Sequence, residues 1–267
     1  MKYGIIGLGF IYNKHQEAIS NTGGEIIVGC DTDATKADKL PSEAIFTPNW
    51  KDLDDYKLDV VVILTPNHLH LEMADFFSKK GKLVLVEKPP THNLEDFKKL
   101  KELPNVFTVL QLRHHPKLQE WIKKVKENDY SVADMRILVR RDDWYFDSWK
   151  GKEKESGGIC LNIGVHYFDV LVQLFGKVMD VRTEQYGDRY AKGVIIFGHT
   201  LAQWELSLEA PMDNQKRILM IDGNKLNLSQ GFENLHTKVY EELLVGRGIP
   251  IRECEQTIQL IDNIKNV

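Results

Sequence analysis

The sequence predicts an α/β fold, with a doubly wound parallel sheet first and an α+β domain on an open, mostly antiparallel sheet second. Three observations predict it. Over residues 1–120, short apolar runs alternate with helical segments, as in a parallel sheet covered on both faces. The first of these runs ends in Gly7-Leu8-Gly9 and leads into a helix. Over residues 121–267 the runs lengthen and alternate apolar with polar residues, which marks a sheet with one face turned away from its own core.

In the first part, "KYGIIG" (2–7), "EIIVGC" (25–30), "DVVVILT" (59–65), "KLVLVE" (82–87) and "VFTVLQL" (106–112) read as strands, because they are continuous, apolar and β-branched. The intervening "NKHQEAISNT", "LHLEMADFFSKKG" and "LEDFKKLKEL" read as helices. In the second part, "ADMRILVRR", "VMDVRTEQY", "KGVIIFGHTLAQWELSLEA", "RILMID" and "KLNLSQ" read as longer strands, and Asp222-Gly223-Asn224 suits a tight hairpin turn. Two helices near 235–246 and 252–265 close the chain. Between the first two long strands, "GICLNIGVHYFDVLVQLFG" (158–176) predicts one buried helix. Its polar residues Asn162, His166, Asp169 and Gln173 fall in a single stripe and need partners.

Composition narrows the function classes. The net charge of −4, from 35 basic and 39 acidic residues, does not suggest a polyanion binder, so no nucleic-acid partner is expected. Three widely spaced cysteines, with no CxxC pair, suit neither a disulfide framework nor a structural zinc site. No apolar run reaches membrane-spanning length, and "KYGIIGLG" enters a strand without a signal-peptide pattern. The expectation is a cytoplasmic protein with no membrane partner and no metal.

The chemistry-bearing residues cluster at strand ends. Gly7 and Gly9, followed by Phe10 and Ile11, form a loop that lets a pyrophosphate approach the backbone at a helix N-terminus. Tyr12 stands where the usual fingerprint has a third glycine. Asp31, at the end of the second strand, suits the two hydroxyls of an adenosine ribose and would repel a 2′-phosphate, which predicts NAD over NADP. Thr65, Asn67 and His70 in "TPNHLH" and Glu87-Lys88 in "EKPP" border the same crevice, where such sheets hold ligands. Asn67 can alternatively cap the next helix. Lys88 is either a rigidly placed cation for a developing oxyanion or a solvated lysine before a turn.

The glycine loop, "EKPP" and "NIGVHYFD" occur in the order and spacing of the Gfo/Idh/MocA oxidoreductases, and the chain resembles that family over essentially its whole length. The strings "VLQLRHHP", "DDWYFDSWKGKEKESGG" and "GFENLHTKVYEELLVGRG" are similar to the branch that oxidises UDP-N-acetyl-2-amino-2-deoxy-D-glucuronate at C3′ for lipopolysaccharide sugars. The resemblance implies a Rossmann domain over 1–120 that binds NAD and a substrate-binding and oligomerisation domain over 121–267. The latter would form a homodimer or homotetramer through its sheet. It implies Lys88 and His166 as the catalytic pair, His166 as general base and Lys88 holding the same oxygen. Asn162 stands where the family often has Asp and would orient the sugar, because an amide cannot titrate. Asp169 would set the His166 tautomer. Gln111, Arg113, Trp149 and Lys150 are expected at the nucleotide-sugar substrate, with Arg140 and Arg141 as further anion candidates. Trp144, Tyr145 and Trp149 either stack on a uracil or sugar face or pack beneath a loop. Rival readings are a dehydrogenase of another sugar, cyclitol or nucleotide sugar, and a non-catalytic NAD(H) sensor, which has no need for Lys88 and His166 together.

Overall fold

The computed structural model describes residues 1–127, 132–231 and 233–266, so Phe232 of the "GFENLH" segment lies outside the described residues. In chain order, β1 (Lys2–Ile6), α1 (Tyr12–Asn21), β2 (Glu25–Cys30), β3 (Ile45–Thr47), β4 (Val60–Ile63), α2 (His70–Lys79), β5 (Leu83–Val86), α3 (Leu94–Leu100) and β6 (Val106–Thr108) come first. Next come α4 (Pro116–Glu127), β7 (Val132–Leu138), α5 (Asp143–Asp147), α6 (Glu153–Ser156), α7 (Ile159–Asn162) and α8 (Val165–Phe175). The strands β8 (Val178–Tyr186), β9 (Tyr190–Phe197), β10 (Thr200–Ser207), β11 (Lys216–Ile221) and β12 (Asn224–Asn227) follow. The chain ends with α9 (Leu235–Leu244), β13 (Ile249–Pro250) and α10 (Glu255–Lys265).

The chain divides into two units. The first contains Met1–Thr91, Glu95–Gln111 and Asn234–Glu253. Its sheet runs β13-β6-β5-β4-β1-β2-β3, parallel except for β13, which pairs antiparallel with β6. The order 3-2-1-4-5-6 within it is that of a Rossmann sheet, with its topological switch between β1 and β4. All four β4 residues are fully buried, which is why "VVVI" is apolar without alternation. The core includes Tyr3, Ile5, Val60 and Val62 together with Val239, Tyr240 and Leu243 of α9.

That last contribution differs from the expected division at residue 120. The segment 234–253 returns to the first unit, where α9 packs on α1 and β13 extends the sheet. Burial explains it: each large apolar side chain removed from water contributes about 1.5–3 kcal/mol, and α9 buries Leu235, Val239, Tyr240 and Leu243.

The second unit contains His92–Leu94, Leu112–Glu233 and Cys254–Val267. Its sheet runs β12-β11-β7-β10-β9-β8, and every pair is antiparallel except β7 with β10. Alternate residues point into the core: Ala133, Met135 and Ile137 of β7, and Ala202, Trp204 and Leu206 of β10. The helix α8 packs on α4 and α10, and its Phe168 meets Trp204 edge-on at 5.2 Å. Asp222 (φ 45°) and Gly223 (φ 79°) make the tight β11–β12 turn that the sequence predicts.

The predicted single helix over 158–176 is broken into α7 and α8, and the helical stretches on either side of the break are bent by 43°. Gly164 sits at the joint, where a Cβ would lie 2.4 Å from the Cys160 carbonyl oxygen and 2.7 Å from Phe168. Asn162 therefore does not share a helical stripe with His166 and Asp169. Among the described residues no single helix is long and apolar enough to cross a membrane.

Candidate active site

The first unit holds a dinucleotide-type crevice at the carboxyl ends of its strands. Gly7 has φ +98°, and a Cβ there would lie 2.8 Å from the Leu64 carbonyl oxygen, so only glycine fits between β1 and the loop after β4. Gly9 faces open space, and the exposed Phe10 forms the tip of the loop beside Ile11. The N-terminus of α1 has no side-chain cap and no acidic residue in its first turn, which leaves backbone N–H groups available to a pyrophosphate. Tyr12 replaces the third glycine because its side chain is fully buried in the core of the unit. Burial pushes its phenol up to about 12.

Asp31 follows β2 and is nearly buried. Its Oδ2 accepts the Leu8 N–H at 2.8 Å, and its Oδ1 accepts the Asp33 N–H at 3.0 Å and the Lys36 ammonium at 2.9 Å. Burial opposes its charge, but the bonds from Asp33, Lys36 and Leu8 outweigh that and hold its pKa below the usual carboxylate value. The carboxylate is thus ionised and locked in place, as a ribose-binding group requires. Lys39 donates to the Leu8 carbonyl at 2.8 Å and fixes the loop from the other side. The open Gly9, the uncapped helix and the ionised Asp31 together fit NAD.

The "TPNHLH" and "EKPP" loops lie beside each other, and His70 ties them. It is fully buried, with Nδ1 3.0 Å from the Pro89 carbonyl and Nε2 2.9 Å from the Thr65 carbonyl. Both nitrogens face backbone acceptors, so His70 serves the loops and is not presented to a cofactor as predicted. Burial lowers its pKa, against the two carbonyls and the charge of Glu87, which favour the cation. The Thr65 hydroxyl lies 3.6 Å from the Met73 sulfur. Asn67 is 2% exposed and begins the short helical turn that follows Pro66.

Glu87 also has a different place from the one predicted. It is 7% exposed, and its Oε2 accepts the Lys88 N–H at 2.8 Å. Its Oε1 lies 3.2 Å from His15 Nε2, and His15 Nδ1 lies 2.7 Å from the Tyr240 hydroxyl. Burial opposes the charge of Glu87, but the bond from His15 and the nearby His236 and Lys88 hold it well below the usual carboxylate value. An ionised carboxylate only accepts, so His15 carries its proton on Nε2 and accepts a hydrogen bond from the Tyr240 hydroxyl on Nδ1. His236 Nε2 stands 3.9 Å from the same Oε1, beyond hydrogen-bond reach. A buried chain from α9 through α1 thereby ends at the backbone of Lys88. Sequence reasoning missed His15, His236 and Tyr240. The signal was the i,i+4 pair His236–Tyr240 on one helix face, with His15 in the helix after the glycine loop. Gln111, also in this unit, has a buried Oε1 with no hydrogen-bond partner, as a ligand-facing acceptor would.

In the second unit His166 lies half-buried in the first turn of α8. Asp169 does not set its tautomer. Asp169 instead takes a bidentate pair from Arg113, Nε to Oδ2 and Nη2 to Oδ1 both at 2.8 Å, and a bond from the Thr257 hydroxyl at 2.9 Å. Arg113 is 8% exposed, so both residues form a buried tie between α8 and the segment before α4. Asn162, 6% exposed, turns its amide N–H to the Tyr145 hydroxyl at 2.8 Å and to the Lys150 carbonyl at 3.5 Å. It holds the 145–150 segment in place. Tyr145 is buried, Trp144 is exposed, and the Lys150 ammonium lies 5.3 Å from the Trp144 ring centre and 5.9 Å from that of Trp149. Arg140 is exposed and paired with Asp142 at 2.9 Å.

Comparison with known proteins agrees with this architecture. Residues 1–106 match the oxidoreductase family's NAD-binding Rossmann fold, and residues 122–194 match its C-terminal alpha/beta domain. Structures of the WlbA (WbpB) dehydrogenase from Thermus thermophilus, in complex with NAD and alpha-ketoglutarate or with NAD and UDP-GlcNAcA, superpose with a TM-score of 0.92 at 29% identity. They cover 100% of this chain and 95% of that one. Among curated proteins, the chain is 26% identical over 195 residues to the uncharacterized oxidoreductase YdgJ of Escherichia coli (strain K12), covering 66% of this chain and 54% of that one. It is 25% identical over 190 residues to the D-glucoside 3-dehydrogenase of the same strain, again covering 66% of this chain and 54% of that one. The chain thus spans about half the length of these curated relatives. The two family matches, in order along the chain on a Rossmann sheet followed by a mostly antiparallel one, establish that this protein belongs to the Gfo/Idh/MocA oxidoreductase family and that its cofactor is NAD.

Proposed function

We propose that this protein is an NAD-dependent dehydrogenase of a sugar hydroxyl. In our reading it oxidises the 3′-hydroxyl of UDP-N-acetyl-2-amino-2-deoxy-D-glucuronate (UDP-GlcNAcA) to the 3-keto sugar, in the cytoplasm, for lipopolysaccharide sugar synthesis. The observation that carries the reading is the full-length likeness to the Thermus dehydrogenase held with NAD and UDP-GlcNAcA.

Bound NAD supplies the hydride acceptor, held by the glycine loop, the N-terminus of α1 and Asp31. His166 takes the proton of the sugar hydroxyl, since imidazole titrates near neutral pH. Lys88 hydrogen-bonds the same oxygen and stabilises its developing charge. Its backbone is fixed by Glu87, whose own orientation is fixed by His15. A second reading, oxidation of an uncharged sugar or cyclitol, is favoured by the likeness to D-glucoside 3-dehydrogenase. Absorbance of NADH across a panel of nucleotide sugars, hexosides and inositols separates the two. Turnover of inositol or a glucoside, with none of UDP-GlcNAcA, overturns the first reading.

Lys88→Ala and His166→Asn are each expected to slow turnover by about 10²–10⁴-fold with NAD affinity near that of the wild type. Wild-type turnover by His166→Asn would remove the base assignment. We further propose a homodimer or homotetramer formed through the open face of the second unit's sheet. Exposed Ile196, Leu201 and Val132 are directly paired across β9, β10 and β7, a row of apolar side chains that supports burial against a second copy.

A further inference from the structure

Among the described residues, one group of histidine and carboxylate side chains brings its donor atoms close enough to hold a metal ion: His15, Glu87 and His236. All three belong to the first unit. His15 comes from α1, Glu87 follows β5, and His236 lies in the first turn of α9, which packs on α1. One donor atom from each lies within 4.8 Å of the other two. His15 Nε2 stands 3.2 Å from Glu87 Oε1, and His236 Nε2 stands 3.9 Å from the same oxygen. The two imidazoles meet edge-on, with ring centres 5.3 Å apart. His236 Nε2 is the atom that the His15–Glu87–Tyr240 chain does not explain. It is buried and has no hydrogen-bond partner, although the side chain as a whole is 14% exposed. A buried polar atom without a partner is costly to keep, and this one stands opposite an ionised carboxylate. The expectation of no metal rested on cysteine spacing, and this set contains no cysteine.

We propose that His15 Nε2, Glu87 Oε1 and His236 Nε2 form a binding site for a divalent transition-metal ion of the zinc class. Two imidazoles and one carboxylate suit zinc, cobalt or nickel, whereas magnesium and calcium take oxygen donors. With metal–ligand bonds of about 2.0–2.1 Å, a tetrahedral site spaces its donors roughly 3.3 Å apart. The His15–Glu87 pair already has that spacing, and His236, the most exposed of the three, completes the set by a side-chain rotation. Three protein donors leave a fourth position for water or an anion. Glu87 keeps its Oε2 on the Lys88 N–H at 2.8 Å, so the metal needs only Oε1. The proton balance closes within His15. A metal on Nε2 displaces the proton there, and the neutral ring carries one on Nδ1 instead, where it donates to the Tyr240 oxygen at 2.7 Å. Such a bond from the second ring nitrogen orients a metal-bound histidine. When occupied, the site ties α1, α9 and the loop that carries Lys88 through one ion.

The test uses the whole, untagged chain, stripped of metal with a chelator and titrated with Co²⁺ and then with Zn²⁺. The wild type is expected to develop the visible absorption of four-coordinate cobalt, to lose it to Zn²⁺ but not to excess Mg²⁺, and to melt at a higher temperature with Zn²⁺ than without. His236→Ala is expected to lose the cobalt band and to weaken Zn²⁺ by about tenfold or more, with a metal-free melting temperature near wild type. Should His236→Ala fold poorly, His236→Gln, closer in volume and without the basic nitrogen, carries the same expectation. Tyr240→Phe keeps all three donors, so it is expected to retain the band and to weaken Zn²⁺ about 10–100-fold. His199→Ala, which alters an exposed histidine of the second unit, is expected to change neither band nor affinity. A wild-type protein without the band overturns the site, as does Zn²⁺ affinity within about twofold of wild type in a well-folded His236 variant. A band lost in His199→Ala and kept in His236→Ala places the metal on the surface and overturns it too.

Discussion

At the scale of single residues, Glu87 and His15 carry a consequence for pH. The folded state holds Glu87 well below its ordinary 4.5 and, chiefly by burial, His15 below its ordinary 6.5. Both folded pKa values are depressed. The unfolded chain therefore binds the extra protons, and stability rises with pH across each window. The His15 contribution is complete above pH 6.5 and falls away as the pH drops below it, and that of Glu87 is lost at lower pH still. Melting temperature is thus expected to decline from about pH 7 to pH 5, and His15→Gln is expected to flatten that part of the curve. An unchanged slope would mean that other groups set the acid sensitivity. Glu87→Gln places an amide against the Lys88 N–H and is expected to cost about 1–3 kcal/mol, measured by denaturant titration. Only the His236–Tyr240 spacing was legible in the sequence, because Tyr240 lies 225 residues from His15 and no local pattern joins them. The Arg113–Asp169 pair, 56 residues apart, escaped for the same reason: a lone arginine after a strand reads equally well as a substrate anchor.

At the scale of elements, what could be read was what is local. Strand–glycine loop–helix, the apolar runs of the parallel sheet and the Asp222–Gly223 turn depend on neighbouring residues, and the structure has them where the sequence puts them. The strands β3 and β13, at 3 and 2 residues, are too short to show a period. The helix over 158–176 was misread for a physical reason. Its apolar period continues through Gly164, but the packing there leaves no room for a side chain: a Cβ would lie 2.7 Å from Phe168 and 2.9 Å from Leu206 of β10. Gly164→Ala is expected to destabilise the second unit by about 1–3 kcal/mol through overpacking, seen as a lower melting temperature. Gly7→Ala combines a strained φ with a clash against backbone, so it is expected to weaken NAD binding in a fluorescence titration more than it lowers stability.

At the scale of the whole molecule, the family and the cofactor were legible because their motifs sit at strand ends that recur in order along the chain. Assembly is tested at this scale as well. Ile196→Arg with Leu201→Glu is expected to convert the oligomer to a monomer in light scattering, with the cofactor site of the first unit still able to bind NAD. A mass unchanged by the pair would direct attention to another surface. The route of the chain bears on its synthesis. The first unit is not finished when its parallel sheet is: residues 234–253 supply its last edge strand, part of its core and the tyrosine that caps the His15 chain. A ribosome must therefore release residues 234–253 before the NAD-binding unit can close. A nascent chain halted at residue 233 is expected to leave the β1–β6 region open to protease, and one extended past residue 253 is expected to protect it. For this protein, vectorial synthesis and unit-by-unit folding are out of step, and the cofactor-binding unit is completed only after most of the second unit has been made.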